Sequence, residues 1–177
     1  MGEEYRRLRE EELTRALFAG FERRQAVTRC WRREAGAWVI RDAPFIDDWD
    51  EGDYALLLDC LRATLRGGGV VIGAFHKGVL KGFASVEGAS WGSSGQYRDL
   101  TSLHVSADMR GQGMGKRLLA LAADWAKGQG AQKLYISAHS AVETQAFYRA
   151  QGCVEAREYN PEHVRQEPFD CQMELPL

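Results

Sequence analysis

The sequence predicts an α/β fold in which helices pack against a mixed β-sheet. Three observations support this class: helix-like apolar spacing near the N-terminus, short apolar runs separated by glycine turns in the middle, and alternating strands and helices towards the C-terminus. That order is typical of a sheet with both parallel and antiparallel neighbours. The chain has 177 residues and no repeat, low-complexity tract or proline-rich linker, so we expect a single domain.

The first 69 residues predict two helices. In residues 50–66 the apolar side chains fall at i, i+3, i+4 and i+7, and three consecutive glycines follow them. This spacing and stop signal are typical of an amphipathic helix. The similar spacing of Leu13, Leu17 and Phe21 favours a helix over residues 10–25.

The remaining residues predict the sheet. Short apolar runs bounded by turn residues indicate strands at residues 70–75, 80–86, 100–105, 133–137, 153–159 and 170–175. A helix is expected between the third and fourth of these strands, where Leu118, Ala122 and Trp125 share one face. Another is expected over residues 141–151, because Ser140 and Glu143 have the spacing of a capping box.

The segment RGQGMGK joins a predicted strand to a predicted helix. Gly111, Gly113 and Gly115 alternate there between Arg110 and Lys116. A helix N-terminus presents unpaired amide groups and the positive end of its dipole, and glycines at that place let a phosphate approach the backbone. A tight turn at positive φ is the alternative, and it accounts for one or two of the glycines but poorly for three between two cations. The segment therefore predicts a phosphate-bearing ligand.

Two common nucleotide-binding motifs do not fit this segment. A P-loop requires GxxxxGK followed by Ser or Thr, whereas Arg117 follows the Gly-Lys pair here. A dinucleotide-binding fold requires GxGxxG after the first strand of a βαβ unit, whereas the spacing here is GxGxG after several strands. An unrelated phosphate-binding α/β protein remains one interpretation.

The same segment resembles the (Q/R)xxGx(G/A) signature of GNAT-type N-acetyltransferases. Downstream, KLYISAH resembles the next strand of that family and ETQAFYRAQGC its following helix, so the resemblance spans about residues 70–175. It implies a GNAT-like twisted mixed sheet of about six to seven strands flanked by about four helices, in which two strands splay apart around acetyl-CoA. It also implies a helical part on the acceptor side, residues 1–69, and an acetyl-CoA-binding core, residues 70–177.

The resemblance implies acetyl-CoA as co-substrate, and no metal is expected because the four cysteines are scattered, with no CxxC and no histidine at ligand spacing. Main-chain groups of the strand before the glycines would hold the acetyl and pantetheine parts, and the glycine turn would hold the pyrophosphate. The implied cofactor-binding residues are Leu103, His104, Val105, Arg110, Gly111, Gln112, Gly113, Met114, Gly115 and Lys116.

The resemblance also points to catalytic residues. Tyr148, in AFYRAQG, stands where many relatives place a tyrosine beside the CoA sulfur. A phenol can donate a proton to a thiolate of similar basicity, so Tyr148 is the implied general acid, with helix–sheet packing as the alternative. The general base is left open among Glu87, Asp99, His104 and His139. Of these, His104 has a suitable pKa and a central position, although a structural role is the alternative for it.

The sequence departs from the family pattern at two places. Ala141 stands seven residues before the tyrosine, where relatives often have an asparagine that touches the cofactor. His139 and Ser140 are the candidate replacements. The strand before the glycines has Thr101 and Ser102 where relatives often have a glutamate base.

The segment FIDDWDEGDY carries five acids around Trp49. Acids at a helix start interact favourably with its dipole, and a solvated acidic loop is the first interpretation. The second is an opening that attracts a positively charged amine.

The sequence therefore predicts an acetyl-CoA-dependent N-acetyltransferase that transfers the acetyl group directly to a primary amine of a small molecule or peptide. A non-catalytic acyl-CoA-binding module of the same fold is the alternative. The net charge of −2 favours no nucleic-acid partner, and no apolar run is long enough to span a membrane. Four scattered cysteines and no signal-peptide core favour the cytoplasm, and a homodimer is left open.

Overall fold

The computed structural model describes residues 2–177, and this part of the chain contains nine strands and four helices. The strands are β1 (Glu3–Arg7), β2 (Arg24–Glu34), β3 (Ala37–Asp48), β4 (Val70–His76), β5 (Val79–Val86), β6 (Tyr97–Val105), β7 (Lys133–Ala138), β8 (Val154–Glu155) and β9 (Cys171–Pro176). The helices are α1 (Glu51–Arg66), α2 (Met114–Gly128), α3 (Val142–Ala150) and α4 (Pro161–Gln166). Short 3₁₀ turns lie at Glu10–Glu12, Arg15–Phe18 and Ala107–Met109.

Seven of these strands form one mixed sheet in the order β1-β4-β5-β6-β7-β9-β8. Neighbouring strands are antiparallel, except that β6 and β7 run parallel. The seven-stranded sheet and the four helices confirm the predicted mixed α/β class and its size.

The parallel pair β6–β7 is short. Its register runs only from Tyr97↔Lys133 to Asp99↔Tyr135, although β6 continues to Val105 and β7 to Ala138. The far half of β6 stays paired with β5 on its other side. The two parallel strands therefore splay apart, as the resemblance implied, and leave the main chain of residues 100–105 unpaired along one edge.

β2 and β3 form a separate antiparallel hairpin. Ala35 and Gly36 connect them at φ values of 51° and 81°, and two consecutive positive φ angles suit a tight two-residue hairpin turn. The hairpin lies against α3, where the Trp31 amide donates to the Ser140 carbonyl at 2.8 Å. This hairpin was not predicted. In the N-terminal part, which was expected to be helical, strands β1, β2 and β3 contribute more residues than helix α1.

The helix predicted over residues 10–25 is wrong. Two 3₁₀ turns and the start of β2 occupy this segment. Its apolar residues are buried, but they pack into an aromatic cluster in which the Phe18 ring lies 5.4 Å from that of Phe83. The chain approaches β5 so closely at Gly20 that a Cβ there would lie 2.5 Å from the Val79 side chain. This irregular path buries the same apolar face without a continuous helix.

Helix α1 confirms the second predicted helix. The Asp50 carboxylate accepts from the Asp53 amide at 2.8 Å, and the Asp53 carboxylate accepts from the Asp50 amide at 2.9 Å. This reciprocal capping satisfies amides that a helix start leaves unpaired. The buried face of α1, which includes Tyr54, Leu58 and Leu61, packs on β4 and β5.

The capping box predicted at Ser140 and Glu143 is wrong. Helix α3 has Ala141 as its N-cap, without a side-chain hydrogen bond. The buried Ser140 hydroxyl instead accepts from the Arg32 guanidinium at 2.8 Å. The Ser140 hydroxyl, which was expected to cap the helix, thus binds Arg32 of the hairpin instead.

The C-terminal segment also differs from prediction. Of the strand expected at residues 153–159, only Val154–Glu155 forms, and the unpredicted α4 follows. The Asn160 side chain caps α4 by accepting from the Glu162 and His163 amides, and Pro161 occupies its first turn. Asn followed by Pro is a helix-start signal that the sequence analysis missed.

The main sheet is covered on both faces. Along β4, Val70 and Ile72 pack in the apolar cluster that contains α2, whereas Val71 and Phe75 pack in the cluster that contains α1. This alternation is expected for a strand buried on both faces. Packing of α2 against β5 and β6 places the helix N-terminus beside the end of β6.

Gly69, which joins α1 to β4, generates a testable prediction. A Cβ there would lie 2.4 Å from the Val86 carbonyl oxygen and 2.7 Å from the Thr64 methyl group. Because the carbonyl cannot yield without moving β5, we expect Gly69→Ala to reduce the free energy of unfolding by about 1–3 kcal/mol. Urea unfolding measures this change.

Gly128→Ala is the matched control. Nothing lies within 4 Å of a Cβ at Gly128, and alanine is favoured over glycine in helices by up to about 1 kcal/mol. We expect this variant to be as stable as the native protein or more so. Equal losses in the two variants would contradict the close approach at Gly69.

Candidate active site

A cleft of about 790 Å³ opens where β6, the start of α2, α3 and β2 meet. It gathers Tyr148 and all but one of the implied cofactor-binding residues. The predicted residues that line it are Leu103, His104, Val105, Arg110, Gly111, Gly113, Met114, Gly115, Lys116 and Tyr148. Gln112 is exposed and does not line the cleft.

The glycine turn forms one end of the cleft. Gly111 and Gly113 have φ values of 77° and 87°, and nothing lies within 4 Å of a Cβ built on either. The backbone conformation therefore requires these two glycines, as the tight-turn interpretation expected. Gly115 is different, because its φ is not positive and a Cβ would make ordinary contacts with Phe147 and Val105 at 3.4 Å or more.

The start of α2 is open towards the cleft. Gly113 is the N-cap, and no side chain caps it in the described structure. The first amides of this 15-residue helix therefore point into a space lined by glycines. Unpaired N-terminal amides and the helix dipole together favour an anion at this place.

The two flanking cations differ in their surroundings. The Arg110 guanidinium donates to the Arg24 carbonyl at 2.7 Å and to the Val105 carbonyl at 3.4 Å, so it connects β2 to the glycine turn. Lys116 is exposed and forms no ion pair within residues 2–177. Both cations line the cleft, and Lys116 is the one whose charge stays free of other protein groups.

A second cavity of about 380 Å³ adjoins the cleft and is lined by residues of both splayed strands, β6 and β7. The two spaces share residues of β2, β6 and α3. The shared residues are Arg23, Gln25, Leu103, His104, Thr144 and Tyr148. A molecule in the cleft and a molecule in the second cavity would therefore meet beside His104 and Tyr148.

Tyr148 lies at this junction on α3. Its side chain is buried, and its hydroxyl has no hydrogen-bond partner among the residues described. Burial is the main cause that raises the pKa of Tyr148 well above its usual value, and the Cys153 thiol and the Asp170 carboxyl add to it. The phenol therefore keeps its proton near neutral pH and is available as a proton donor.

His104 lies at the same junction between two aromatic rings. Its ring centroid is 5.0 Å from that of Trp49 and 5.3 Å from that of Phe83. Burial, with the charges of Arg23 and Arg110, lowers the pKa of His104 to about 3. The imidazole is therefore neutral and weakly basic near neutral pH.

Two of the other candidate bases lie outside both spaces. The Glu87 carboxylate accepts from the Thr64 hydroxyl at 2.6 Å, and the Asp99 carboxylate accepts from the Trp91 indole at 2.7 Å. Neither acid lines the cleft or the second cavity. Their hydrogen bonds to Thr64 and Trp91 indicate a structural role for both acids.

His139 and Ser140, the candidate replacements for a polar cofactor contact, do not line the cleft. His139 lines the second cavity, and its Nδ1 accepts from the Ala141 amide at 3.0 Å. Thr101 and Ser102 line the same cavity. His139, Thr101 and Ser102 therefore face the second cavity instead of the glycine turn. Ser140 lines neither space.

Most acids of the segment around Trp49 have partners within the protein. Asp50 and Asp53 cap α1, Glu51 pairs with Arg15 at 2.9 Å, and Asp47 pairs with the buried Arg23 at 2.5 Å. Asp47 alone among these acids lines the second cavity. The segment is thus mainly structural and contributes one carboxylate to the wall.

Sequence reasoning missed several residues of the cleft. Gln25 and Ala26 lie on β2 and Arg23 directly before it, far in sequence from the glycine motif. Thr144 lies on α3 and Gln151 is its C-cap, each four residues from Tyr148 or Phe147. That i, i+4 spacing could have identified the α3 residues, because such positions share one helix face.

The family of the chain follows from its sequence. A sequence model described as the Acetyltransferase (GNAT) family matches residues 34–153. The chain belongs to this family. It is a GNAT acetyltransferase whose glycine turn, splayed strands and junction tyrosine occupy the matched region. No curated protein sequence matches the chain.

Solved acetyltransferases share the whole fold of this GNAT protein. Nourseothricin acetyltransferase aligns over 99% of both chains with 15% identity and a TM-score of 0.71. A Bacillus anthracis protein, provisionally assigned as a streptothricin acetyltransferase and solved with acetyl coenzyme A, aligns over 100% of this chain and 99% of its own with 16% identity and a TM-score of 0.74. The PaiA N-acetyltransferase of Thermoplasma acidophilum, solved with coenzyme A, aligns over 100% of both chains with 15% identity and a TM-score of 0.61.

Two further findings concern the described residues of this GNAT chain. Within residues 2–177, no group of three or more His, Cys, Asp or Glu side chains is arranged to hold a metal ion. No helix in the same range has both the length and the apolar character to cross a bilayer.

The environment of His104 generates a second prediction. We expect the NMR signals of its imidazole to remain those of the neutral ring down to about pH 5, because burial lowers its pKa to about 3. His163 is the internal control, since its hydrogen bond with Asp99 raises its pKa above the usual 6.5. The imidazole signal that is lost in the His104→Gln variant is the signal of His104. A His104 midpoint near 6.5 would contradict the half-buried, aromatic setting.

Proposed function

We propose that the protein transfers an acetyl group from acetyl-CoA directly to a primary amine. One observation carries this proposal: the cleft at the glycine turn and the second cavity meet beside Tyr148 and His104. Such a junction suits two molecules that react with each other, one in the cleft and one in the second cavity.

The cleft fits acetyl-CoA in two respects. The open N-terminus of α2, the space beside Gly111 and Gly113, and the free charge of Lys116 suit a pyrophosphate. The unpaired edge of β6 at residues 103–105 suits the amide groups of an extended pantetheine arm. We therefore retain Leu103, His104, Val105 and the segment from Arg110 to Lys116 as the proposed cofactor-binding residues, with Gln112 contributing its main chain at most.

Tyr148 is the proposed general acid. Its raised pKa keeps the hydroxyl protonated, and its place at the junction suits protonation of the departing CoA thiolate. His104 is the proposed neighbour of the acetyl group. Its pKa of about 3 disfavours it as the proton acceptor, so another group is expected to serve as the base.

Direct transfer is proposed because no cysteine lines the cleft or the second cavity. An acyl-enzyme would need such a nucleophile at the thioester. All four cysteines of the chain are free thiols, which supports the further proposal that the protein works in a reducing compartment such as the cytoplasm.

The acceptor is proposed to be a primary amine that carries positive charge. Three acids, Asp47, Glu167 and Asp170, line the second cavity with one arginine, Arg23, so its lining has an excess of acids that favours a cationic molecule there. A panel of nourseothricin, spermidine, lysine and a peptide with a free N-terminus covers antibiotic, polyamine, amino-acid and peptide amines. Nourseothricin is included because a structural neighbour is named for it. Thiol release with this panel identifies the acceptor, whereas acetyl-CoA binding without thiol release would favour the non-catalytic module.

Gly113 provides a test of the proposed cofactor site. Gly113→Val places a branched side chain in the space proposed for the pyrophosphate, so we expect acetyl-CoA affinity to fall at least tenfold, about 1.4 kcal/mol. Calorimetric titration measures the affinity.

Gly130→Val is the matched control for that variant. Gly130 also has a positive φ, 88°, with nothing within 4 Å of a Cβ, but it follows the opposite end of α2. Backbone strain should therefore be similar while affinity stays unchanged. Equal acetyl-CoA affinities in the two folded variants would contradict binding of the pyrophosphate at the glycine turn.

Tyr148→Phe tests the proposed general acid. The variant keeps the ring and removes the hydroxyl, so we expect kcat to fall about 10²–10⁴-fold with acetyl-CoA affinity retained. Thiol release with the accepted amine measures kcat. Tyr159→Phe, at an exposed tyrosine that lines neither space, is the control. Near-native turnover in Tyr148→Phe would assign this tyrosine to packing.

A further inference from the structure

The second cavity contains a carboxyl group that sequence reasoning did not single out. Asp170 precedes β9, is half-buried, and lines the cavity together with Tyr148. The Ser137 hydroxyl, on β7, donates to its Oδ2 at 2.9 Å. The hydrogen bond fixes one carboxyl oxygen, and the other is available to a molecule in the cavity.

The other acids of this cavity are differently placed. Asp47 is paired with Arg23, and Glu167 is exposed. Asp170 is the one acid among the described lining residues that is both partly buried and free of a cationic partner. Burial without a cation increases the basicity of a carboxylate.

The groups around Asp170 act in opposite directions. Burial is the largest cause, and with the charge of Glu167 it raises the pKa of Asp170 to about 6, against the Ser137 hydrogen bond and the charge of His163 on α4. The Tyr148 phenol on α3 is neutral, and the pKa of the adjacent Cys171 thiol is raised to about 11, so that group is neutral too.

We propose that Asp170 is the general base that removes a proton from the acceptor amine. The inference rests on the proposed function. It follows from the position of this carboxylate in the cavity where the amine would enter, with Ser137 holding one oxygen and Tyr148 lining the same space. Asp170 is thereby the catalytic residue of the acceptor side, and Ser137 is a positioning residue.

The proposed step balances in atoms and charge. Asp170 takes one proton from the ammonium group, which leaves a neutral amine with a free electron pair, and later releases that proton to solvent. The nitrogen forms a bond to the acetyl carbon, and the bond from that carbon to sulfur breaks with its electron pair on sulfur. Tyr148 gives its proton to the sulfur and is reprotonated by the second proton that the nitrogen loses. The products are the amide, the CoA thiol and one proton.

A carboxyl titration tests this inference without any acceptor. The infrared difference between the native protein and Asp170→Asn isolates the Asp170 carboxyl band. We expect this band to titrate near pH 6, and a midpoint at the usual 3.8 would overturn the proposal. Asparagine keeps an oxygen that accepts from Ser137, so the fold should be retained, and thermal unfolding of the variant checks this.

Kinetics provide the second test, with nourseothricin and spermidine as probe amines. The base must be unprotonated, so kcat/KM of the native protein should rise with pH through about 6. Asp170→Asn should lower kcat about 10²–10⁴-fold and remove this rise. Glu162→Gln is the control, because it also replaces a carboxylate by an amide. Glu162 is exposed, lies on α4 and lines neither space.

Three outcomes would overturn the assignment. An increase in KM with unchanged kcat in Asp170→Asn would make Asp170 an anchor for the ammonium group. An equal loss of kcat in Glu167→Gln would transfer the role to that acid. A rise in kcat/KM that persists in Asp170→Asn would assign the titration to another group.

Calorimetry separates this inference from the proposed function. Asp170→Asn should bind acetyl-CoA as tightly as the native protein, because Asp170 lies outside the cofactor cleft. A native protein that does not bind acetyl-CoA, or that acetylates no amine of the panel, contradicts the proposed function itself. Native activity with an unimpaired Asp170→Asn contradicts the base alone.

Discussion

The site depends on how briefly β6 and β7 pair. Hydrogen bonds join these parallel strands only between Tyr97 and Asp99 on one side and Lys133 and Tyr135 on the other. Beyond that point the main chain of β6 has lost a neighbour, and its polar groups need other partners. The second cavity is lined by both of the separated strands, and the cleft adjoins it along Leu103 and His104 of β6, so both spaces depend on this interruption of the sheet.

The cleft and the second cavity differ in electrostatic character. Helix amides, Arg110 and Lys116 face Glu143 in the cleft, whereas the second cavity contains Asp47, Glu167 and Asp170, and Arg23, which pairs with Asp47, lines both spaces. An anionic carrier and a cationic acceptor would thus each be attracted to its own side. The buried Tyr148 lies between them, where low polarity strengthens the effect of each charge.

The parts of the fold that were predictable from sequence carry local signals. Helix α1 has its cap residues, Asp50 and Asp53, three positions apart, and the glycine turn and α2 are contiguous. The β2–β3 hairpin lacked such a signal, because charged residues occupy five of the eleven positions of β2 and the hairpin is held at Ser140, just before α3. Asp170 could not be recognised either, since its setting depends on Ser137, 33 residues earlier in the chain. Proximity in the folded state, and not spacing in the sequence, creates these features.

The attachment of the β2–β3 hairpin has an evolutionary consequence. The hairpin is not part of the main sheet. Main-chain pairing of Cys30 with Ala141, the Trp31 amide and the guanidinium of Arg110 connect it to the rest of the site. Its side chains can therefore change without altering the register of the seven-stranded sheet. A lineage could thus acquire a new acceptor through mutations at hairpin positions that line only the second cavity, such as Phe45 and Asp47, while Gln25 and Ala26, which line the cleft, stay unchanged.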